Sequence, residues 1–437
     1  MSKKPQEFDM SKNNFGTKGW IFVIYSLMTF FMTTATGDSI KNIALRAQAG
    51  MFGWDYTSLI SLTTVFGWLT IFLMFFFRKL LQKCSPKTVA MALGLIYAAL
   101  CFVYPNINAQ WQWIIVMCAL TVIATALPQQ VHAVIAANWF PRKKGLIIGW
   151  TTMGLPLGSG LGVAIYGALS GHVGMNGTYY IYGALMLVTV VICAIFVTDF
   201  PEQCGCFPDN DTSMTREDAD RLLQEGIEMS KKSVWTPKVL LTTKEVWLIG
   251  VSCGIMLLFS GGFMSQMVPR MIAIGYADQA IMFMTIAALI GGVGSYVVGF
   301  IDSKIGPKKT CIVVHGVAIV ACVLNSIPNT VCVLISLVFI GTVLGGAANC
   351  LMSLTATMWG RYAFTNVHGI LLPINQVVGS CGTVIVAQVA ARWSYTGSNI
   401  IVGLLALVGI LLILPVQEDS MHKKAAQLGE HANPEIV

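Results

Sequence analysis

Apolar stretches of about 18 to 25 residues recur along the chain, each long enough for a helix to cross the hydrocarbon layer of a bilayer. Twelve are predicted, at 20–43, 57–77, 88–105, 111–137, 145–169, 178–198, 246–270, 279–300, 310–327, 331–358, 366–391 and 398–415. The longest polar interruption, 199–245, divides them into six and six. The fold class expected is therefore all-α: a polytopic membrane protein of twelve transmembrane helices in two pseudo-symmetric six-helix halves. Residues 1–198 form the first half, 199–245 a central loop, and 246–437 the second half with a polar tail. Inside the loop, Thr215 and Asp218 make a capping box ahead of Leu222, Leu223 and Ile227, which predicts a short amphipathic helix.

Landmarks in the first half return about 220 residues later. Lys83-Cys-Ser-Pro86-Lys87-Thr88 follows the second span, and Lys304-Ile-Gly-Pro307-Lys308-Lys309-Thr310 follows the eighth. Trp139 opens a loop ending at Gly145, and Trp359 opens one ending at Gly369. Pro156 in the fifth span pairs with Pro373 in the eleventh. Such internal repeats are a signature of secondary transporters, whose binding sites lie between the repeats near mid-membrane.

Polarity has a three-span rhythm. Spans 1, 4, 7 and 10 carry Thr, Ser, Gln and Asn, whereas spans 3 and 12 are almost wholly apolar. A polar group facing lipid is costly, so these side chains are expected to face protein or a central cavity. The plainer alternative is that the hydroxyls bond to their own helix backbone.

Composition sharpens the picture. The chain is 55% hydrophobic and only 11% charged, about half the charge a soluble surface carries. The net charge of +7 is topological: with both termini cytoplasmic, 23 of the 27 Lys and Arg residues fall on that side, as basic residues flanking spans do. A nucleic-acid partner is therefore not implied. A first span too long for a signal-peptide core predicts an uncleaved, multi-pass cell-membrane protein. The twelve cysteines are expected as free thiols. Cys204 and Cys206 have no second Cys or His cluster to complete a metal site, so neither metal nor cofactor is expected.

The residues between the spans resemble the major facilitator superfamily over the whole chain. That family carries a G-x-x-x-D-(R/K)-x-G-(R/K)-(R/K) signature, and Gly299-Phe-Ile-Asp302-Ser303-Lys304-Ile-Gly306-Pro-Lys308-Lys309 is similar to it, with the acid one position early. In the first copy Gln82 stands where the acid is expected and Ser85 where the glycine is. Asn138-Trp139-Phe140-Pro141-Arg142-Lys143-Lys144-Gly145 and Trp359-Gly360-Arg361-Tyr362-Ala363-Phe364 resemble loops of the oxalate/formate antiporter and monocarboxylate porter branch. The charged residues of that branch's eighth span have no counterpart in 279–300, so its mechanism does not transfer. The resemblance implies a carrier.

Candidate site residues follow from chemistry. Arg270, beside Pro269, offers a guanidinium fork suited to a carboxylate, or snorkels to the interface. Asp38 and Lys41, three apart on one helical face, could form a gating pair, attract an anion or carry a proton. His132 titrates near neutrality, while His315 reads as structural. Gln266, Gln129, Asn349, Asn375 and Gln376 are amides expected to bind substrate, and Asp302 is expected at the gate. The Gly149–Gly162 run with Pro156 reads as close helix packing.

The expected function is a secondary active transporter of a small organic anion, a carboxylate foremost, by alternating access, as antiporter or proton-coupled symporter, working as a monomer in contact with membrane lipid. An exporter of apolar or cationic compounds, drawing on 22 Met and 22 Phe, and a transporter-like sensor remain alternatives. The chain has no HExxH, Walker A or GxSxG motif, so an enzyme is not expected.

Overall fold

The computed structural model describes residues 11–36 and 40–429. Among them the chain is helical throughout, in the order α1 (Gly16–Thr34), α2 (Ile40–Phe52), α3 (Tyr56–Lys83), α4 (Pro86–Val103), α5 (Gln110–Thr125), α6 (His132–Trp139), α7 (Lys144–Thr152) and α8 (Gly154–Phe196). After the linker helices α9 (Arg216–Lys231) and α10 (Pro237–Leu241) come α11 (Lys244–Ala273), α12 (Ala280–Ile305), α13 (Pro307–Ser326), α14 (Thr330–Arg392), α15 (Tyr395–Ile413) and α16 (Ser420–Gln427). Nine stretches among the described residues are long and apolar enough to cross a membrane. Two of them, Lys144–Phe196 and Thr330–Arg392, are longer than any single crossing needs, at 53 and 63 residues.

Glycine breaks both long runs. Gly174 sits at φ 72, ψ 172 inside α8, and Gly360 at φ 75, ψ 176 inside α14. A side chain is strongly disfavoured in that conformation, so glycine allows the chain to reverse with almost no loop. Elsewhere local chemistry sets the ends. Asp55 caps α3 through the Thr57 N–H, and Ser85 caps α4 with Pro86 in its first turn. Thr215 caps α9 by accepting from the Asp218 N–H at 3.2 Å, as its capping box predicts.

In the stretch 20–43, α1 runs to Thr34 and α2 starts at Ile40, with 37–39 outside the described residues. One expectation needs correction. The stretch 359–369 is not a loop. Apart from Gly360 it is helical, and Arg361, Tyr362, Phe364 and His368 are buried. Its polar composition reflects bonds made to other helices rather than to water.

Helices before the linker pack together (α1 on α8, α4 on α8, α3 on α5), as do those after it (α11 on α14, α13 on α14 and α15). The two groups meet through α12 against α7 and α8, and through α14 against α3, α6 and α7. The N-terminal segment, the linker and α16 share one face, here the linker face. Lys18 Nζ donates to Cys204 O at 2.7 Å, and Lys424 Nζ to Thr243 Oγ1 at 2.8 Å.

Candidate functional site

The seam between the two groups holds most of the polar chemistry. At the linker face the resembling loops become two docking platforms. From Asn138–Gly145, Trp139 Nε1 donates to Thr198 O (2.8 Å) and Asn138 Nδ2 to Asp199 O (3.1 Å). The N–H groups of Arg142 and Lys143 converge on Asp209, at 3.1 and 2.7 Å, beside an Arg142–Asp209 ion pair. Burial pushes the Asp209 carboxyl up from the usual range, although those N–H groups and Arg142 oppose the rise. Asp211 is also partly buried, yet Ser213 and Arg142 hold its carboxyl below that range.

The second platform is Trp359–Phe364. Arg361 Nη2 reaches both carboxylate oxygens of Glu202 at 2.9 Å, and both side chains are 1% exposed. The guanidinium also lies 5.1 Å over the Phe200 ring. Tyr362 donates its hydroxyl to Leu222 O at 3.1 Å. Its ring fills the space where Gly226 of α9 has no side chain: a Cβ there would lie 1.9 Å from the ring. The linker is thus held by residues from both groups of helices.

Below this lie two related contacts. Asp302, at the end of α12, occupies the space a side chain at Gly145 would fill, against the start of α7. Ser353 donates to its Oδ2 at 2.5 Å, and its Oδ1 has no hydrogen-bond partner among the described residues. A carboxylate is stabilised at a helix start, where the dipole is positive. At the counterpart position, Gln82 donates to Asn366 Oδ1, and Arg78 Nε to Asn366 O at 3.0 Å. The Arg78 methylenes pack where Gly369 leaves room. One contact keeps an acid and the other uses amides.

The next layer is Thr152, Ser295 and Asn349, all buried. Thr152 Oγ1 lies 2.8 Å from Ser295 Oγ and also bonds to Asn349 Oδ1. Asn349 Nδ2 donates to Ser295 O at 2.8 Å. Backbones approach closely here: a Cβ at Gly149 would lie 3.0 Å from Gly299 Cα. Deepest along the seam, residues Ala126–Val131 form a π-helical turn between α5 and α6, a distortion frequent at functional sites. From it Gln129 accepts Gln376 Nε2 at its Oε1 (2.7 Å) and His368 Nε2 at its carbonyl (2.9 Å).

Four of the expected residues, Gln129, Gln376, Asn349 and Asp302, therefore meet at the seam. His132 is buried with Nε2 2.9 Å from the Tyr25 hydroxyl, within the first group. Asn375 is buried on α14. His315 packs inside the second group, 3.0 Å from Ser252 Oγ. Lys41 is half-buried at the start of α2, and Asp38 lies outside the described residues.

Arg270 sits apart. Its Nη2 donates to Asn325 O at 2.9 Å, its guanidinium lies 4.9 Å over Tyr395, and its Nε has no partner among the described residues. With Gln266, Asn399 and Phe263 it lines a space of about 20 Å³ inside the second group, enough for one water and not for a carboxylic acid. Sequence reasoning missed Glu202, Arg361 and His368. Glu202 and Arg361 stand 159 residues apart, with no local signal linking them, and His368 fell in the stretch read as a loop.

Residues 20–383 match the sequence model described as "Major Facilitator Superfamily". A relative from Escherichia coli K12, "Uncharacterized MFS-type transporter YhjX", is 24% identical over 380 residues, covering 83% of this chain and 86% of its own. Among solved structures, the human organic anion transporter MFSD10 aligns with TM-score 0.68 at 11% identity, over 90% of this chain and 98% of its own. The proton:xylose symporter XylE gives 0.69 at 12%, over 90% and 94%. The transporter FucP in its outward conformation gives 0.65 at 14%, over 90% and 97%. At these identities the likeness is one of fold.

Proposed function

Since the chain belongs to the Major Facilitator Superfamily, we propose that it carries a small organic anion across the membrane by alternating access between two six-helix halves. Splitting α8 at Gly174 and α14 at Gly360 turns the nine apolar stretches into eleven crossings, and α1 makes twelve. The linker face is then cytoplasmic, because it gathers most of the Lys and Arg residues.

The observation that carries this reading is the graded seam. From Arg361–Glu202 at the linker face to Gln129–Gln376 deeper in, the residues joining the halves pair across it. Contacts between the outer ends of α2 and α11 are not among the strong ones. A gate shut on one side of a two-fold interface is one end state of a rocking carrier.

The anion preference is supported by Lys41, Arg46 and Arg270 at the far ends of the helices, against Asp55 and Asp278 among the described residues there. The loops that resemble the oxalate/formate and monocarboxylate branch point to a carboxylate. Lys41 is the contact residue in this reading. Arg270 acts one step removed, by fixing the outer ends of α11, α13 and α15.

Counterflow of radiolabelled small carboxylates in proteoliposomes tests it. Saturable uptake that falls at least tenfold in Lys41→Gln, and less in Arg270→Gln, is the expected result. Uptake that prefers neutral or cationic compounds would replace the anion with the apolar or cationic alternative.

A further inference from the structure

His368 is fully buried on α14, and its ring stacks on Phe364 with centroids 4.8 Å apart. Its Nε2 meets the Gln129 carbonyl at 2.9 Å, across the seam. A carbonyl oxygen only accepts, so Nε2 carries the proton. Nδ1 is buried with no partner among the described residues. In the closed seam the ring is therefore neutral, because a proton on Nδ1 would bury an imidazolium without an anion. The π-helical turn is what presents the Gln129 carbonyl, and Gln376 holds the Gln129 side chain beside it.

Among the described residues no carboxylate pairs with the His368 ring. From α3 comes Arg78, whose methylenes pack on Gly369, and from α6 comes His132, paired with Tyr25. Of the carboxylates on other elements against α14, Asp302 bonds to Ser353, Glu202 to Arg361, and Glu245 lies 3.9 Å from Lys244. On α9, Asp218 and Asp220 pair with Arg221 and Arg216, and Glu217, Glu225 and Glu228 are exposed. Lys144 on α7 and Lys304 on α12 add only positive charge.

We propose that His368 is the proton-sensing element of the linker-face gate: neutral, it clasps the Gln129 carbonyl and holds the halves together, and protonated, it holds them apart. This rests on the alternating-access reading. Opening the seam withdraws the carbonyl and wets the ring. An exposed imidazole takes up a proton near pH 6.5. The closed seam is then fully favoured above that pH, and loses out as pH falls, by up to tenfold in population per unit. The proton taken up from the linker-face solution must leave before the gate recloses, so that step slows in acid.

The test uses the full chain in nanodiscs, with spin labels attached through non-natural residues at Lys83 and Thr365. These flank the Gln82–Asn366 contact and have no part in the clasp. Distances are measured from pH 8 to pH 5. Wild type is expected to shift from a short to a long distance on acidification. His368→Gln keeps an amide donor to Gln129 but does not titrate, so it stays at the short distance throughout. A pH response in His368→Gln equal to wild type overturns the proposal. So does a wild type that switches distance on adding substrate yet ignores pH. One fixed distance under every condition overturns the alternating-access reading, and this inference with it.

Discussion

Arg361 and Glu202 form a two-pronged ion pair, sealed from solvent, between a helix that follows the linker and the segment that leaves α8. Both oxygens of the carboxylate lie 2.9 Å from one guanidinium nitrogen. Breaking a buried pair from one side leaves an uncompensated charge and costs about 3–5 kcal/mol. Arg361→Gln and Glu202→Gln are each expected to lower thermal stability sharply. The double variant should lose less than the sum, as a double-mutant cycle of melting in detergent would show. Additive losses would mean that the pair is not coupled.

Gly226 holds the linker helix against Tyr362. Gly226→Ala puts a methyl where the aromatic ring lies, so α9 is expected to lift away while the membrane helices keep their packing. Limited proteolysis should cut within 212–236 at least several-fold faster, with melting little changed. Unchanged cleavage would show that the ring yields instead.

Asp302 at the start of α7 makes a different test. Asp302→Asn removes the charge that suits the helix dipole, worth about 0.3–2 kcal/mol, while preserving shape and the bond from Ser353. Transport should fall and the long-distance population at the linker face should rise. Gly145→Ala, which drives a methyl into the carboxylate, should do more damage than Asp302→Asn.

The tail helix α16 reports pH outside the membrane. His422 Nε2 donates to Thr357 O at 3.2 Å, and burial, with Lys144 nearby, holds the ring below its ordinary value of 6.5. Asp419 and that hydrogen bond oppose the shift. A depressed value means that docking is favoured in full above pH 6.5 and is lost as pH falls through the docked value. Hydrogen exchange over 420–427, corrected for intrinsic rates, should therefore quicken at pH 5 relative to pH 7.5. The difference should vanish in His422→Gln.

What was legible in the sequence and what was not divide on physical lines. Hydropathy located the apolar stretches, because burial in lipid is read residue by residue. Thr215–Asp218 was equally local, and the structure contains that cap. Residues 359–369 read as a loop because Arg361, Tyr362, Asn366 and His368 look solvated. Each is instead satisfied by a partner brought close only by the fold: Glu202, Leu222 O, Gln82 and Gln129. Arg270 stood out as a lone charge, but charge alone does not say which side of a helix faces the seam.

The linker's attachment to both platforms also bears on how the protein is made. Glu202 leaves the ribosome 159 residues before Arg361. During that interval the Glu202 carboxylate has no Arg361 to meet, and Gly149 has no Gly299. Synthesis therefore passes through a bundle with one raw polar flank, and the moment α14 enters the bilayer is the moment that flank is closed. A chain stopped at the linker would keep that flank open.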